Sequence, residues 1–117
     1  MKKDVLKNGV YTLLITPFKD DGSIDEPNLI KLVERQLEAG IKGIAPLGVT
    51  GESPLLTDKE ELKVLRIIVK TVGGKCKVIP DTCASSLWKA KEKIKIFSDL
   101  GADFISVFSP FFVLLHR

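Results

Sequence analysis

Two stretches of this 117-residue chain repeat one junction: Leu37-Glu38-Ala39-Gly40-Ile41-Lys42-Gly43-Ile44 and Asp99-Leu100-Gly101-Ala102-Asp103-Phe104-Ile105. In each, an amphipathic helical run stops at a single glycine and a β-rich apolar run begins almost at once. Glycine closes a helix there because it enters the left-handed region without a Cβ penalty. Strands joined in turn by helices run parallel, since a parallel pair needs a long crossover.

The rest of the chain fills in the same alternation. Gly9–Ile15 is a β-rich run that ends at Thr16-Pro17-Phe18, where proline removes a ladder donor. Asp21-Gly22 marks a turn, and Asp25 is a good N-cap for a helix over Asp25–Ala39 whose Leu29, Ile30, Val33 and Leu37 recur at helical spacing. Ile41–Leu47 is the second strand. Thr57-Asp58-Lys59-Glu60 is a capping-box pattern opening a helix with its stripe at Leu62, Leu65, Ile68, Val69 and Val72, closed by Gly73-Gly74. Cys76–Pro80 is a third strand. Ser85 or Ser86 then caps a helix expected to bury Leu87, Ala90, Ile94, Phe97 and Leu100, with Trp88 at its edge. Lys89, Lys91, Lys93 and Lys95 lie off that stripe and are assigned to a solvated face. Asp103–Phe108 is a fourth strand.

A β-α-β-α-β-α-β order with strands apolar at most positions describes a parallel sheet. Two architectures fit: a small open sheet of flavodoxin or Rossmann type, or part of a (β/α)8 barrel, which needs about 250 residues. The apolar stretch Ser109–Arg117 follows the fourth strand with no helix to cover it. It suggests a piece of something longer, or a chain that pairs with a partner.

Composition narrows the function classes. With 44% apolar and 28% charged residues the chain has a soluble globular balance, and its net charge of +3 comes from dispersed lysines, against a nucleic-acid surface. No signal peptide or membrane span is expected; Phe104–Leu115 is too short and is broken by serines and a proline. Cys76 and Cys83 form no C-x-x-C pair. Their odd separation suggests opposite faces of one strand, and they read as reduced cysteines of a cytoplasmic protein.

Chemistry is concentrated in Gly43-Ile44-Ala45-Pro46-Leu47-Gly48-Val49-Thr50-Gly51-Glu52-Ser53. Glycines at this spacing let backbone N–H groups converge, and Thr50 adds a hydroxyl, so Gly48–Ser53 is either an anion cradle or a tight βα turn. It is not a P-loop, lacking Gly-Lys-Ser/Thr, nor a dinucleotide fingerprint. Glu52 is better placed to shape the loop than to act as acid or base. Asp81–Ser86, at the end of strand three, can line the same mouth. A serine nucleophile there lacks a base, because the only histidine is His116; no metal and no cofactor is expected. Phe111 and Phe112 either cover the site or belong to the core.

These motifs resemble dihydrodipicolinate synthase and its relatives, including N-acetylneuraminate lyase. The similarity runs from Gly9-Val10 through Thr16-Pro17-Phe18 and Asp21–Asp25, then Leu47–Ser53 and Val78–Ser86, to Gly101-Ala102-Asp103 and Ser109–Phe112. It implies a (β/α)8 barrel, residues 1–117 being its N-terminal half with about four strands and three helices. It also implies a lyase or aldolase in which a lysine forms a Schiff base with pyruvate or another 2-keto acid, the protonated imine serving as electron sink. By that resemblance Thr50 holds the keto-acid carboxylate together with loop N–H groups around Gly48 and Gly51.

The sequence departs from the family where protons move. Val49 stands for the first threonine of a relay, and Phe112 for a relay tyrosine lent across a subunit interface; neither passes a proton. The Schiff-base lysine would lie downstream of Arg117. Ser85 and Lys89 replace an asparagine and an acid that hold feedback lysine in some synthases, so lysine regulation is not expected. Expected partners are thus a pyruvate-like 2-keto acid and other copies in a homo-oligomer, with no nucleic acid and no membrane. The alternative is a non-catalytic half-barrel that self-associates or pairs with a separately encoded second half. A self-contained anion-binding module of flavodoxin type is a third possibility.

Overall fold

The fold is that of a computed structural model, which describes residues 5–108. Each helix begins at a side-chain cap. Helix α1 (Glu26–Glu38) follows Asp25, whose carboxylate accepts the Asn28 N–H at 3.1 Å. Helix α2 (Asp58–Val72) opens with the expected box: Thr57 Oγ1 accepts the Glu60 N–H at 3.2 Å, and the Glu60 carboxylate accepts the Thr57 N–H at 2.7 Å. Helix α3 (Leu87–Asp99) is capped by Ser86, whose Oγ accepts the Lys89 N–H at 3.2 Å, which decides between the two serines.

Strands β1 (Tyr11–Leu13), β2 (Gly43–Ala45) and β3 (Lys77–Val78) are parallel, in the order β1-β2-β3. They are shorter than expected, but the ladder outruns them. The N–H groups of Lys77, Ile79 and Asp81 donate to the carbonyls of Lys42, Ile44 and Pro46. Beyond β3 lies the segment 103–106, in which Asp103 N–H donates to Val78 and Ser106 N–H to Pro80. The expected fourth strand is reduced there to a single parallel bridge, Asp81 with Ser106. The reason is local: the Asp103 side chain, not a main-chain carbonyl, takes the Val78 N–H at 2.9 Å.

This order separates the two architectures left open by the sequence. A flavodoxin-type sheet puts β1 between β2 and β3, and a Rossmann half puts its fourth strand beside β1. Here β2 is central and the fourth segment continues outward from β3. Sequential parallel order is how a (β/α)8 barrel begins. The layers agree. Leu29 and Val33 of α1, Leu65 and Ile68 of α2 and Phe97 of α3 join Leu14, Ile44 and Val78 in one core cluster, so all three helices cover one face of the sheet. Leu13 at the end of β1 and Ile15 just beyond it alternate with Leu14 and are 67% and 55% exposed.

Three other expectations are corrected. Leu87 is 67% exposed, because it is the first residue of α3 and precedes the turn that meets α2. Cys76 and Cys83 do not share a strand: the first precedes β3 and the second sits in the loop after it, both buried and free. Lys93 is buried, as described below.

Candidate functional site

The carboxyl ends of β2 and β3 form a rim on which the two marked loops meet. Pro46, with no N–H, only accepts, from Asp81, and Leu47 then takes φ 64°. The chain folds back through Gly48–Glu52, with Glu52 N–H donating to Val49 at 3.0 Å and Ser53 N–H to Gly48 at 3.2 Å. Glu52 is left-handed as well, at φ 58°, and leads into the 3-10 turn Ser53–Leu55. Non-glycine residues in this region carry strain that surrounding contacts must hold. One such contact comes from the segment after β1, where the buried Thr16 Oγ1 donates to the Gly51 carbonyl at 2.7 Å. Gly51 itself is required by close packing, since a Cβ there would lie 3.0 Å from Leu47 N and 3.1 Å from the Leu14 carbonyl. Gly48 is under no such pressure, its nearest neighbour being Asp81 Cβ at 3.8 Å.

The result is a turn closed by the N–H groups of Glu52 and Ser53, with three others left without an acceptor. Among the described residues those of Val49, Thr50 and Gly51 donate to no acceptor, and the Thr50 hydroxyl has no partner. Thr50 and Val49 are exposed, Gly48 half-buried and Gly51 buried.

The second loop stands beside the first, as expected. Asp81 is 5% exposed, and its Oδ1 accepts the Cys83 N–H at 2.6 Å, holding Cys83 at φ 42°. Burial, helped by the Asp81 carboxylate, pushes the Cys83 thiol above its ordinary value, an offset that neighbouring Lys93 reduces. A protonated, buried thiol is not a nucleophile. Ser53, Cys83, Ala84 and Ser85 line a hollow of about 250 Å³ together with Glu61 and Lys93.

Those last two residues are the part of the rim that sequence reasoning missed. Lys93 is 8% exposed and Glu61 4% exposed. Lys93 Nζ lies 2.8 Å from both Glu61 carboxylate oxygens and donates to the Thr82 carbonyl at 2.9 Å. Glu61 also accepts the Ser53 hydroxyl. The signal was available: Glu61 falls in phase with Leu65, Ile68 and Val72, and Lys93 with Ala90 and Phe97, so each is a charge on an apolar stripe. Lys89, Lys91 and Lys95 are exposed, as expected.

Phe111, Phe112 and His116 lie outside the described residues. Among those described, no group of three or more His, Cys, Asp or Glu side chains is arranged to hold a metal.

With the rim defined, comparison with known proteins is informative. The profile of the dihydrodipicolinate synthetase family matches residues 6–116. The chain belongs to that family. The 4-hydroxy-tetrahydrodipicolinate synthase of Methanococcus vannielii is 42% identical over 104 residues, 89% of this chain. The chloride-inhibited dihydrodipicolinate synthase of Acinetobacter baumannii, solved with pyruvate, superposes with a TM-score of 0.87 at 34% identity over 89% of this chain. CdNal of Clostridium difficile, solved with mannosamine, gives 0.87 at 28% identity over 92% of it. The chain spans about a third of the length of these relatives: 36%, 36% and 38%. Its architecture is therefore a portion of the family's (β/α)8 barrel, and the homologous activity is that of a lyase.

Proposed function

We propose that residues 1–117 are an N-terminal portion, about a third, of a Schiff-base lyase of the aldolase type acting on pyruvate or a related 2-keto acid, and that they supply its carboxylate cradle. The observation that carries this reading is the open row of N–H groups at Val49, Thr50 and Gly51, beside the unpartnered Thr50 hydroxyl. Clustered N–H groups in a left-handed turn favour an anion, and a carboxylate with a planar pair of oxygens fits two or three such donors. The solved Acinetobacter relative holds pyruvate, which supplies the chemical class.

The residues of this portion bind and orient; they do not perform the covalent step. Val49 is 67% exposed on the cradle and carries no group able to move a proton. The amine that forms the imine comes from outside residues 1–117. The protein acts in the cytoplasm, to which its two free, buried cysteines are suited. No helix among the described residues is long and apolar enough to cross a membrane.

Calorimetric titration tests the cradle. Pyruvate binds, whereas acetone, which has the carbonyl but no carboxylate, does not; equal binding of the two, or of neither, contradicts the reading. Borohydride added to this chain with pyruvate leaves its mass unchanged.

A second reading has its own support. Among the described residues the outer edge of β1 has no partner strand, and Leu13 and Ile15 at and beyond its end expose apolar surface of the kind sheets normally cover. A separately encoded second half, or another copy, would close it. Light scattering that finds a discrete dimer favours that reading, and a stable monomer opposes it.

A further inference from the structure

The buried pair Glu61–Lys93 has no role in the function proposed above. Its position suggests one. We infer that Glu61 and Lys93 are positioning residues that lock the two rim loops to each other and so set the shape of the Gly48–Gly51 cradle, an inference that rests on reading those residues as a carboxylate site.

Stability alone does not account for the pair. Two charges removed from water lose hydration that their attraction only partly returns, and apolar side chains of similar volume at the same positions hold helices together at least as well. Both positions lie on apolar stripes, where a leucine pair would be the ordinary choice. What leucines lack is the second set of bonds. Glu61 accepts the Ser53 hydroxyl, and Lys93 donates to the Thr82 carbonyl at 2.9 Å. One bond enters each rim loop, and the ion pair of 2.8 Å joins them between α2 and α3.

Ser53 is the joint through which this reaches the cradle. Its hydroxyl is fixed by Glu61 while its N–H holds the Gly48 carbonyl at 3.2 Å. The turn between Gly48 and Ser53 contains the three open N–H groups, so its closure depends on where Ser53 stands. Both loops also contain left-handed non-glycine residues, Leu47 and Glu52 in one and Cys83 in the other. Such conformations persist only where their surroundings over-determine them. Asp81 holds the Cys83 N–H and Ser106 accepts the Thr82 N–H at 3.0 Å; the buried pair adds the hold on the Thr82 carbonyl, the Thr82 hydroxyl having no partner.

The test separates holding helices from positioning loops. In the double variant Glu61→Leu/Lys93→Leu the helices keep an apolar contact and both loop bonds vanish. In the exchange Glu61→Lys/Lys93→Glu the ion pair survives and the ammonium can still donate to the Ser53 hydroxyl, but a carboxylate faces the Thr82 carbonyl and cannot bond it. Both variants of the full chain should melt cooperatively. Amide exchange at Cys83 should quicken by about tenfold or more in both variants, and at Ser53 in the leucine variant, the sign of local opening; pyruvate affinity of the leucine variant should fall by a similar factor. Unchanged exchange at both amides in a folded variant overturns the inference. If neither variant folds, Ser53→Ala decides: it leaves the ion pair intact, and should quicken exchange at position 53 but not at Cys83. Unchanged exchange at position 53 overturns the inference in that case. If the unaltered chain binds no pyruvate, the carboxylate reading falls, and the exchange data still decide whether the pair positions the loops.

Discussion

The helix-covered face of the sheet and the rim at its carboxyl end are built by opposite rules. On the covered face Leu14, Ile44 and Val78 meet Leu29, Leu65 and Phe97, all apolar and nearly all fully buried. Its stability is a matter of area removed from water, and neighbours of similar volume could replace one another at small cost. On the rim the buried residues include the charged or polar Ser53, Glu61, Asp81, Thr82 and Lys93, three non-glycine residues are left-handed, and among the described residues three N–H groups lack an acceptor. The amino end of the strands shows that the rim's character is not general to strand ends. There a hollow of about 460 Å³ is lined by Lys7, Lys42, Lys75, Lys77 and Asp103, with none of the left-handed non-glycine residues that mark the rim. Among the described residues, left-handed non-glycine backbone and buried charge are confined to the carboxyl end of the strands.

The sharpest way to break this contrast is at Lys93. Lys93→Met leaves Glu61 buried without a counter-ion and should cost ~3–5 kcal/mol in urea denaturation, whereas adding Glu61→Leu should recover most of it. Leu65→Ala, in the covered face, should cost about 2–5 kcal/mol by the same measurement. It should leave the pyruvate affinity of the folded fraction alone, which a rim substitution should not. Gly51→Ala comes next: its Cβ meets backbone at 3.0 Å and 3.1 Å, so a loss of ~1–3 kcal/mol is expected with pyruvate binding weakened about tenfold or more. Gly48→Ala, with room for a methyl, should change stability by no more than about 0.5 kcal/mol.

Smaller effects sharpen the contrast at its edges. Ser86→Ala removes the cap of α3 and should cost ~1 kcal/mol by thermal melting. Cys76 and Cys83 both have thiols pushed above the ordinary 9.0, first of all by burial. The folded state then keeps those protons at a pH where the unfolded chain loses them. Their stabilisation is complete below the ordinary thiol value and is lost as pH rises through the folded ones. Replacing both with alanine should flatten the alkaline limb of the stability–pH curve.

Most of the covered face was legible in the sequence, because its signals are local. Asp25, Thr57 and Ser86 cap because their side chains reach N–H groups two or three residues on, and Leu29, Val33, Leu65 and Ile68 bury because they repeat at helical spacing. The glycine stops at Gly40, Gly73 and Gly101 all take positive φ. Strand order, which decides between barrel and open sheet, is non-local and needed the coordinates. The rim was legible only in outline. Gly48–Ser53 and Asp81–Ser86 stand together as expected, but Lys93 was hidden by its neighbours. Lysines at 89, 91, 93 and 95 alternate with period two, which masks the one that falls on the 90–93–97 face, and Ile94 beside it is the natural apolar choice. Nothing in a single sequence shows that a glutamate thirty-two positions earlier lies on the matching stripe; the pairing is visible only as a contact.

The central claim is that the open N–H groups at the end of β2 are a carboxylate site. It is tested most directly by following the backbone amide resonances of this chain in a pyruvate titration. The account predicts saturable shifts at Val49, Thr50 and Gly51, diminished in Thr50→Val and absent with acetone. Shifts centred on the lysine-lined hollow at the opposite end of the strands, with the cradle amides unmoved, would contradict it.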